Sequence, residues 1–289
     1  MRFRWDWLRP VVSAPYVPTI GPVHPSVLTE DLFTDTLIAA STDRWFLRYD
    51  KDIRWSDSKD ETVLVEHIVH RPGETLIPTL SQRGSGMVKV HVYGIEPDSV
   101  YAATELAQKL AAEHSAGKAR IVRFLGPEAS DGRGTRIQLQ DFRTALCLAP
   151  DGPVRLFDKW PAGVRDTFAA FAEQTAADGF TFLYKQMQAG TIGPVLTVVV
   201  GGGVAGAIGP MEIRPDAIGT PQLMPQYFGV LQEHRGKGLG RLLWRAAMYW
   251  GQDNGAAYQL LQTEVGGPSD CLCQAEGLTS LGFTYWQTA

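Results

Sequence analysis

The stretch from Tyr227 to Gly255 constrains the fold of this chain more than any other. It begins with a short apolar run that ends at Leu231, continues through a loop rich in glycine and basic residues, and ends in an amphipathic segment. In that last segment the apolar residues recur at three- and four-residue spacing: Leu239, Leu242, Leu243, Ala246 and Trp250. The pattern predicts a strand, a tight loop and a helix that ends near Gly255.

The loop between this strand and helix has the composition of an anion site. It contains three glycines and three basic residues: Gly236, Gly238, Gly240, Arg235, Lys237 and Arg241. Glycine lacks a Cβ, so the chain can bend sharply and a ligand can approach the backbone amides. The first amides of a helix have no partner within it and carry partial positive charge. The loop is therefore predicted to bind a phosphate or a pyrophosphate.

This segment resembles the acyl-coenzyme A signature of the GNAT superfamily of N-acetyltransferases. The family pattern is Arg or Gln, two variable residues, Gly, one variable residue, then Gly or Ala, and Arg235, Gly238 and Gly240 occupy its fixed positions. A strand end at Val230 and a downstream Leu281-Gly282-Phe283 strengthen the resemblance. The resemblance implies that acetyl-CoA or another acyl-CoA is held by Val230 and the loop: Arg235, Gly236, Lys237, Gly238, Leu239, Gly240 and Arg241.

The groups that would perform acyl transfer are less clear from the sequence. Transfer to an amine requires a base for the amine, a donor for the oxyanion and a proton for the departing thiolate. The tyrosine that often supplies this proton in the family lies four residues before the Gly of Leu-Gly-Phe, where this chain has Leu278. The candidate substitutes are Glu264 near the end of the following strand, Tyr227 on the signature strand, and Cys271 at the start of the last helix. Glu264 is the best of the three, and a structural role is the favoured alternative for each.

Two other motifs are weaker. Gly201-Gly202-Gly203-Val204-Ala205-Gly206 matches a dinucleotide fingerprint, but a proline and strand-like residues follow it instead of a helix, which favours a hairpin turn. Cys271 and Cys273 have no histidine nearby, whereas a structural zinc site needs four ligands. No metal site is therefore expected.

Element order predicts an α+β fold with a GNAT-like, mostly antiparallel sheet flanked by helices, and a second GNAT-like or α/β lobe at the N-terminus. We expect an extended proline-rich arm over 1–26, a degenerate GNAT-like lobe over 27–142 and an acyl-CoA-binding catalytic domain over 143–289. The glycine-rich loop is replaced in the first lobe by Gly94-Ile95-Glu96-Pro97-Asp98, whose two acids would repel an anion. An unrelated α+β domain fits 27–142 equally well.

The predicted elements also raise a question of strand pairing. Besides the signature strand and helix, the predicted helices are 28–41, 98–115, 164–178 and 270–281, and 180–188 is either a short helix or an active-site segment. The predicted strands are 45–49, 62–70, 87–93, 119–125, 195–200, 204–213, 257–265 and 283–286, and 137–148 is strand-like in part. The family usually pairs a seventh strand with the sixth, but the sequence has no room for it after 283–286. We therefore expect this edge to be covered by the N-terminal arm or lobe, or by a second subunit in a homodimer.

Composition excludes several classes of protein. The hydrophobic share of 44% and the charged share of 20% are those of a globular protein, and the longest strongly apolar run is too short to span a bilayer. The net charge is 27 − 31 = −4, which argues against a dedicated nucleic-acid binder, and three cysteines do not indicate a disulfide scaffold. The expected location is the cytoplasm.

The sequence is therefore interpreted as that of an N-acyltransferase that moves an acyl group, with acetyl as the first expectation, from acyl-CoA to an amine of a small molecule or peptide. One alternative is a non-catalytic acyl-CoA-binding module. The other is an acyltransferase whose donor is an acyl carrier protein or an aminoacyl-tRNA, which is the one way in which a nucleic acid would be a partner.

Overall fold

The computed structural model describes residues 4–42, 47, 49–56, 59–94, 98–129, 134–144, 146–149 and 152–289. Up to residue 141 the elements are β1 (Tyr16–Val17), β2 (Gly21–Pro22), α1 (Glu30–Thr42), β3 (Glu61–Val63), β4 (Val69–Arg71), β5 (Glu74–Ser81), β6 (Met87–Gly94), α2 (Asp98–Glu113), β7 (Lys118–Leu125) and β8 (Thr135–Asp141). Short 3-10 turns lie at Trp5–Trp7, Pro25–Val27, Lys51–Arg54 and Val65–His67.

The later elements include the predicted strand, loop and helix of the signature segment. They are β9 (Val154–Leu156), α3 (Ala162–Arg165), α4 (Phe168–Gln174), α5 (Phe180–Gln188), β10 (Leu196–Val200), β11 (Gly203–Gly209), β12 (Ile213–Pro215), β13 (Pro221–Leu223), β14 (Tyr227–Val230), α6 (Leu239–Asp253), β15 (Tyr258–Glu264), α7 (Pro268–Ala275) and β16 (Thr279–Thr288). The described part of the chain contains no helix with both the length and the apolarity needed to cross a membrane.

The chain divides into two compact units. The first comprises Met1–Leu139 together with Leu260–Ala289, and the second comprises Gln140–Gln259. Both mix helices with mostly antiparallel sheet, which confirms the predicted α+β class. The predicted division at 142/143, with one domain over 143–289, stays a prediction, and the contact units differ from it in where Leu260–Ala289 belongs.

The first unit is built on one sheet in the order β15-β8-β16-β7-β6-β5-β3, with β4 paired to β5. The strands β6 and β7 are parallel and are connected through α2, as parallel neighbours require a crossover. Ala103, Ala107 and Leu110 of α2 pack against alternate residues of β6, Val88 and Val90 among them. Alternate residues of a strand lie on the same face, so these apolar residues of β6 all face α2. Their packing against the helix forms the core of the unit.

The strand β16 is paired on both sides by strands from the N-terminal part of the sequence. It runs antiparallel to β7, with Phe283 opposite Leu125, and antiparallel to β8, with Thr284 opposite Thr135. One of the two predicted ways of covering this edge, by the N-terminal lobe, is therefore confirmed. The pairing also explains why Leu260–Ala289 groups with the N-terminal residues.

The N-terminal segment is extended and well packed within the first unit. Leu8, Val17 and Ile20 are buried, and the hydroxyl of Tyr93 donates a hydrogen bond of 2.9 Å to the carbonyl of Tyr16. The prolines prevent a long helix here, so the segment satisfies its backbone through turns and the short β1–β2 pair.

The second unit contains the sheet β14-β11-β10-β9, antiparallel throughout, and the β12–β13 pair. The hairpin expected at Gly201 and Gly202 is confirmed: both adopt positive φ, +59° and +84°, and they join β10 to β11. The helices α4 and α5 contribute Phe168, Phe171 and Phe180 to the unit's core.

Several predicted elements were wrong in extent. The strand expected over 62–70 is two short strands separated by a 3-10 turn, and the helix expected over 164–178 is broken between α3 and α4. Thr167 lies at that break, where its hydroxyl donates to the carbonyl of Val164 at 2.7 Å and accepts from the amide of Val204 at 2.9 Å. Its side chain thus competes with the helical hydrogen bonds.

Two further differences have local causes. The helix expected over 270–281 ends at Ala275 because Gly277 takes the left-handed conformation, with φ +83°, and the last strand is correspondingly longer than 283–286. The strand β5 was not predicted because Pro78 interrupts its apolar pattern, yet Pro78 lies opposite Val90 and its carbonyl accepts the amide of Leu64 at 2.9 Å. The strand expected over 45–49 lies largely outside the described residues.

Candidate functional site

The strand β14 lies at the edge of the second unit's four-stranded sheet. The amide of Leu231 donates to the carbonyl of Ala205 at 2.9 Å, and Val230 is the Cα partner of Gly206 in the same register. Because hydrogen-bonded and non-hydrogen-bonded pairs alternate in antiparallel strands, Val230 belongs to a non-hydrogen-bonded pair. Its amide therefore points away from β11, toward the edge of the sheet.

The loop after β14 turns on two left-handed glycines. Gly236 has φ +75° and Gly238 has φ +81°, and a Cβ added at either position would meet no atom within 4 Å. Both positions therefore need glycine for their backbone conformation, and the space beside them is open. The helix α6 begins immediately after Gly238, and its N-terminus has no side-chain cap.

The amides of this loop have no partner in the part of the chain that the structure describes. Within the described residues, the backbone N–H groups of 236–240 donate no hydrogen bond, and the first bond from the start of α6 runs from the amide of Leu242 to the carbonyl of Gly238, at 3.1 Å. The helix has fifteen residues, so its dipole is well developed at this end. Five consecutive donors beside open space form a site for an anionic group.

Close packing holds the start of α6 against the sheet. Leu243 and Ala247 of the helix are fully buried. A Cβ at Gly206 of β11 would lie 2.9 Å from a methyl group of Leu243, and a Cβ at Gly240 would lie 3.4 Å from the ring of Phe228. These glycines let the helix approach the strands, which fixes the direction in which the loop amides point.

The basic residues of the loop have different positions. The Arg235 Nε donates to the carbonyl of Val230 at 2.9 Å, and its guanidinium lies 3.6 Å from the carboxylate of Asp178. Arg235 therefore braces the loop against the end of β14. Lys237 and Arg241 are exposed on the loop and on the first turn of α6.

The proposed catalytic residue Tyr227 opens β14 in the second unit. Its ring lies so close to Gly179 that a Cβ there would come within 2.4 Å, and it also contacts the rings of Phe180 and Phe182, at centroid distances of 6.4 and 6.3 Å. The start of α5 therefore fixes the ring of Tyr227 on the same strand as Val230.

The other proposed catalytic residues belong to the first unit. Glu264 is the last residue of β15 and is exposed. Cys271 is exposed on α7, with its sulfur 3.7 Å from the carbonyl of Gly266. Leu278 is buried, so the position of the family's frequent tyrosine serves the apolar core here.

Sequence reasoning missed a buried carboxylate network around Asp270 in the first unit. Asp270 accepts hydrogen bonds from Arg136 Nε at 2.8 Å, from Thr263 at 3.0 Å and from the amide of Gly266 at 3.0 Å. Burial alone would raise the pKa of Asp270, but these hydrogen bonds and the charge of Arg136 outweigh it and lower the pKa. The network ties α7 to β8, and no local motif could have revealed the ion pair because Arg136 and Asp270 are 134 residues apart in sequence.

A second polar cluster, in the second unit, was also not predicted. The hydroxyl of Tyr258 donates to Asp216 at 2.9 Å and to Gln222 at 3.3 Å. Burial, then the charge of Asp216, raises the pKa of Tyr258 well above its ordinary value. Tyr258 therefore stays protonated and holds the turn that joins β12 to β13. Among the described residues, no group of three or more His, Cys, Asp or Glu side chains is placed to bind a metal ion.

Comparison with known proteins agrees with this geometry. Residues 157–268 match the family described as acetyltransferase (GNAT) family, a segment that contains β14, the glycine loop and α6. This match places a GNAT acetyltransferase domain at 157–268, and the match supports acyl transfer in general. No curated protein matches the chain.

The solved structures that match the chain are distant from it in sequence. A GCN5-related N-acetyltransferase from Sphaerobacter thermophilus is 11% identical, with a TM-score of 0.49 over 87% of this chain and 93% of its own. A tandem GNAT protein from the clavulanic acid biosynthesis pathway is 14% identical, with a TM-score of 0.42 over 74% and 78%. A GCN5-related N-acetyltransferase from Kribbella flavida is 16% identical, with a TM-score of 0.42 over 78% and 90%.

Proposed function

We propose that this protein is an N-acyltransferase that binds acyl-CoA on the loop at 235–241 and transfers the acyl group, acetyl in the first instance, to an amine of a small molecule or peptide. The proposal is carried by the row of amides at 236–240, which have no hydrogen-bond partner among the described residues. They lie at the start of a fifteen-residue helix and beside open space. A diphosphate would accept hydrogen bonds from these donors and would face the positive end of the helix dipole. We place the reaction in the cytoplasm.

The edge of β14 supplies the second element of the proposed site. The acyl carbonyl would lie beside the amide of Val230, which points out of the sheet and can donate to a developing oxyanion. The carbonyl of the same residue is occupied by Arg235, so only the donor is left for the substrate.

The proposed reaction is a direct transfer. The amine nitrogen attacks the thioester carbon, a tetrahedral oxyanion forms, the carbon–sulfur bond breaks, and the products are an amide and the free thiol of CoA. The amine gives up one proton and the thiolate takes one, so no other reactant is needed. Glu264 is the proposed base for the amine, and Tyr227 and Cys271 are the remaining candidates for the proton on sulfur.

A second candidate function is binding of acyl-CoA without turnover. It is favoured by the buried Leu278 at the position where the family often has a tyrosine acid. The two functions share the diphosphate site and differ in whether a thiol is released.

The test is an assay of thiol release with acetyl-CoA and a panel of primary amines, run beside calorimetric titration of acetyl-CoA. Binding with amine-dependent thiol release is the result that we expect. Binding of acetyl-CoA without thiol release from any amine would exclude the enzyme and support the second candidate, a binding module. The absence of binding would overturn both candidates. The variant Gly238→Asp, which places a carboxylate among the loop amides, should abolish binding.

A further inference from the structure

Asp178 lies beside the signature strand, at the end of the 3-10 turn Ala176–Asp178 that precedes α5. A Cβ added at Gly229 would lie 3.5 Å from an oxygen of the Asp178 carboxylate and 2.8 Å from the ring of Phe180. All of these residues belong to the second unit. Because Gly229 has no side chain, a carboxylate can approach β14 one residue before Val230, whose amide points out of the sheet.

The carboxylate of Asp178 is accessible and keeps its capacity to accept hydrogen bonds. Its side chain is 41% exposed, and its oxygens accept no hydrogen bond from the described residues. The guanidinium of Arg235 lies 3.6 Å away, which is longer than an N–H···O hydrogen bond, and its Nε already donates to the carbonyl of Val230. An ammonium group could therefore donate to Asp178 without displacing a hydrogen bond.

Two aromatic rings stand near this carboxylate. The ring of Tyr227 is partly exposed and lies against Gly179, the residue that follows Asp178. The ring of Phe182 lies 6.3 Å from that of Tyr227, and Phe182 is 39% exposed. Aromatic rings attract an ammonium group through their quadrupole, and a carboxylate attracts it through its charge. The same corner of the second unit thus presents two kinds of group that recognise an organic cation.

The geometry brings this corner within reach of the proposed oxyanion donor. Three covalent bonds separate a Cβ from the nitrogen of the next residue, so the Val230 nitrogen and the Asp178 carboxylate are at most about 7–8 Å apart. A carbonyl oxygen accepts from an amide at about 2.9 Å, and an ammonium donates to a carboxylate at about 2.8 Å. A thioester on the Val230 amide and an amine on Asp178 would therefore be close enough to react.

We propose that Asp178 selects the acceptor by binding the ammonium form of an alkylamine beside the thioester, next to the rings of Tyr227 and Phe182. This inference rests on the proposed acyl transfer and names its acceptor class, amines that are cationic at neutral pH. The bound ammonium gives its proton to the base before the nitrogen attacks, and Glu264 remains the proposed base. Asp178 is therefore a specificity-determining residue.

The experiment compares two inhibitors in the thiol-release assay at saturating acetyl-CoA, with an alkylamine from the panel as acceptor. The N,N,N-trimethyl derivative of that amine keeps the positive charge but cannot be acylated, and it should compete with the amine. The neutral analogue with carbon in place of the quaternary nitrogen has the same shape and should inhibit at least about tenfold more weakly, because it lacks the charge. Equal inhibition by the two compounds would overturn the proposal.

The variant Asp178→Asn then locates the cation. It should raise the KM for the amine by about tenfold or more and remove the advantage of the cationic inhibitor over its neutral analogue. Its Kd for acetyl-CoA should not rise, since a negative charge is removed from beside the diphosphate loop. If Asp178 only held Arg235 in place, the Kd for acetyl-CoA would rise and the KM for the amine would not, which would refute the inference. The matched control, Glu173→Gln, removes an exposed carboxylate from the end of α4 and should keep the wild-type KM.

The outcomes separate this inference from the proposed function. Thiol release from no amine would overturn both of them. Thiol release from alkylamines, with an unchanged KM in Asp178→Asn, would overturn the role of Asp178 and leave the acyl transfer standing. Thermal unfolding of each variant is measured beside the kinetics, and if Asp178→Asn does not fold, the two inhibitors acting on the wild type decide the question.

Discussion

The substitution Gly238→Ala tests the proposed diphosphate site with little ambiguity, because the chain contains a matched control. Gly238 has φ +81° before α6 and Gly255 has φ +88° after it, and a Cβ at either position meets no atom within 4 Å. Alanine should therefore suffer the same backbone strain at both ends of the same helix. The difference is that one end faces the proposed anion.

The expected loss of stability can be worked out from the backbone. A left-handed conformation costs an L-residue about 1–2 kcal/mol relative to glycine, and no steric clash adds to it at either position. At about 2–4 °C per kcal/mol for a domain of 150–250 residues, each variant should melt a few degrees lower than the wild type. Thermal unfolding without ligand measures this, and the two variants should agree closely.

Affinity for acetyl-CoA should separate the two variants. A methyl group at Gly238 stands beside the loop amides and should weaken binding by at least about tenfold, equivalent to about 1.4 kcal/mol. Gly255→Ala should bind as the wild type does, because it lies at the other end of α6. Isothermal titration calorimetry measures both affinities. Equal affinities in the two variants would refute the assignment of the diphosphate to this loop.

Three further outcomes follow from the structure. Asp270→Asn leaves the half-buried Arg136 without its charge partner and should lower the free energy of unfolding by about 3 kcal/mol in urea denaturation. His91 is fully buried, and burial lowers its pKa to about 4. In the unfolded chain a histidine titrates near 6.5, so between these two pH values the unfolded chain binds more protons than the folded one. The free energy of unfolding should therefore fall by up to about 3 kcal/mol as the pH drops from about 6.5 to about 4. Glu264→Gln, if Glu264 is the base, should lower kcat for thiol release by about 10²-fold or more with the Kd for acetyl-CoA unchanged.

Each of these outcomes has its own control. Asp141→Asn breaks an exposed pair with Arg143 and should cost at most about 1 kcal/mol, so an equal loss in the two Asp variants would contradict the role given to the buried network. For pH, the variant His91→Gln should show a flatter stability profile below pH 6.5 than the wild type, and an unchanged profile would show that other groups cause the fall. For catalysis, Glu233→Gln in the loop should keep full kcat, and a Glu264→Gln enzyme of undiminished kcat would remove Glu264 from the mechanism.

The signature segment was predictable because its signals are local. The spacing of apolar residues predicted β14 and α6, and the glycines of the loop predicted a sharp bend, which the structure forms with two left-handed residues, Gly236 and Gly238. The direction of the Val230 amide was not predictable in the same way. It depends on the register between β14 and β11, which is set by residues more than twenty positions away in sequence.

Non-local pairing explains most of what the sequence did not reveal. Both strands that flank β16 come from the N-terminal part of the chain, and nothing in their own residues states which partner they take. The strand β5 was obscured by Pro78, which is tolerated because its missing donor leaves the neighbouring pairs intact. The carboxylate of Asp178 reaches β14 through the packing of separate elements, so no single stretch of sequence reveals their proximity.

The most direct test of the central claim is a titration observed at the glycine amides themselves. The full chain would be labelled with ¹⁵N-glycine, the loop signals assigned by their loss in single alanine variants, and coenzyme A compared with pantetheine, which lacks the diphosphate and nucleotide. We predict that coenzyme A shifts the amide signals of Gly236, Gly238 and Gly240 far more than that of Gly255, and that pantetheine does not shift them. Bound coenzyme A that moves other glycine signals and leaves these three in place would contradict the account.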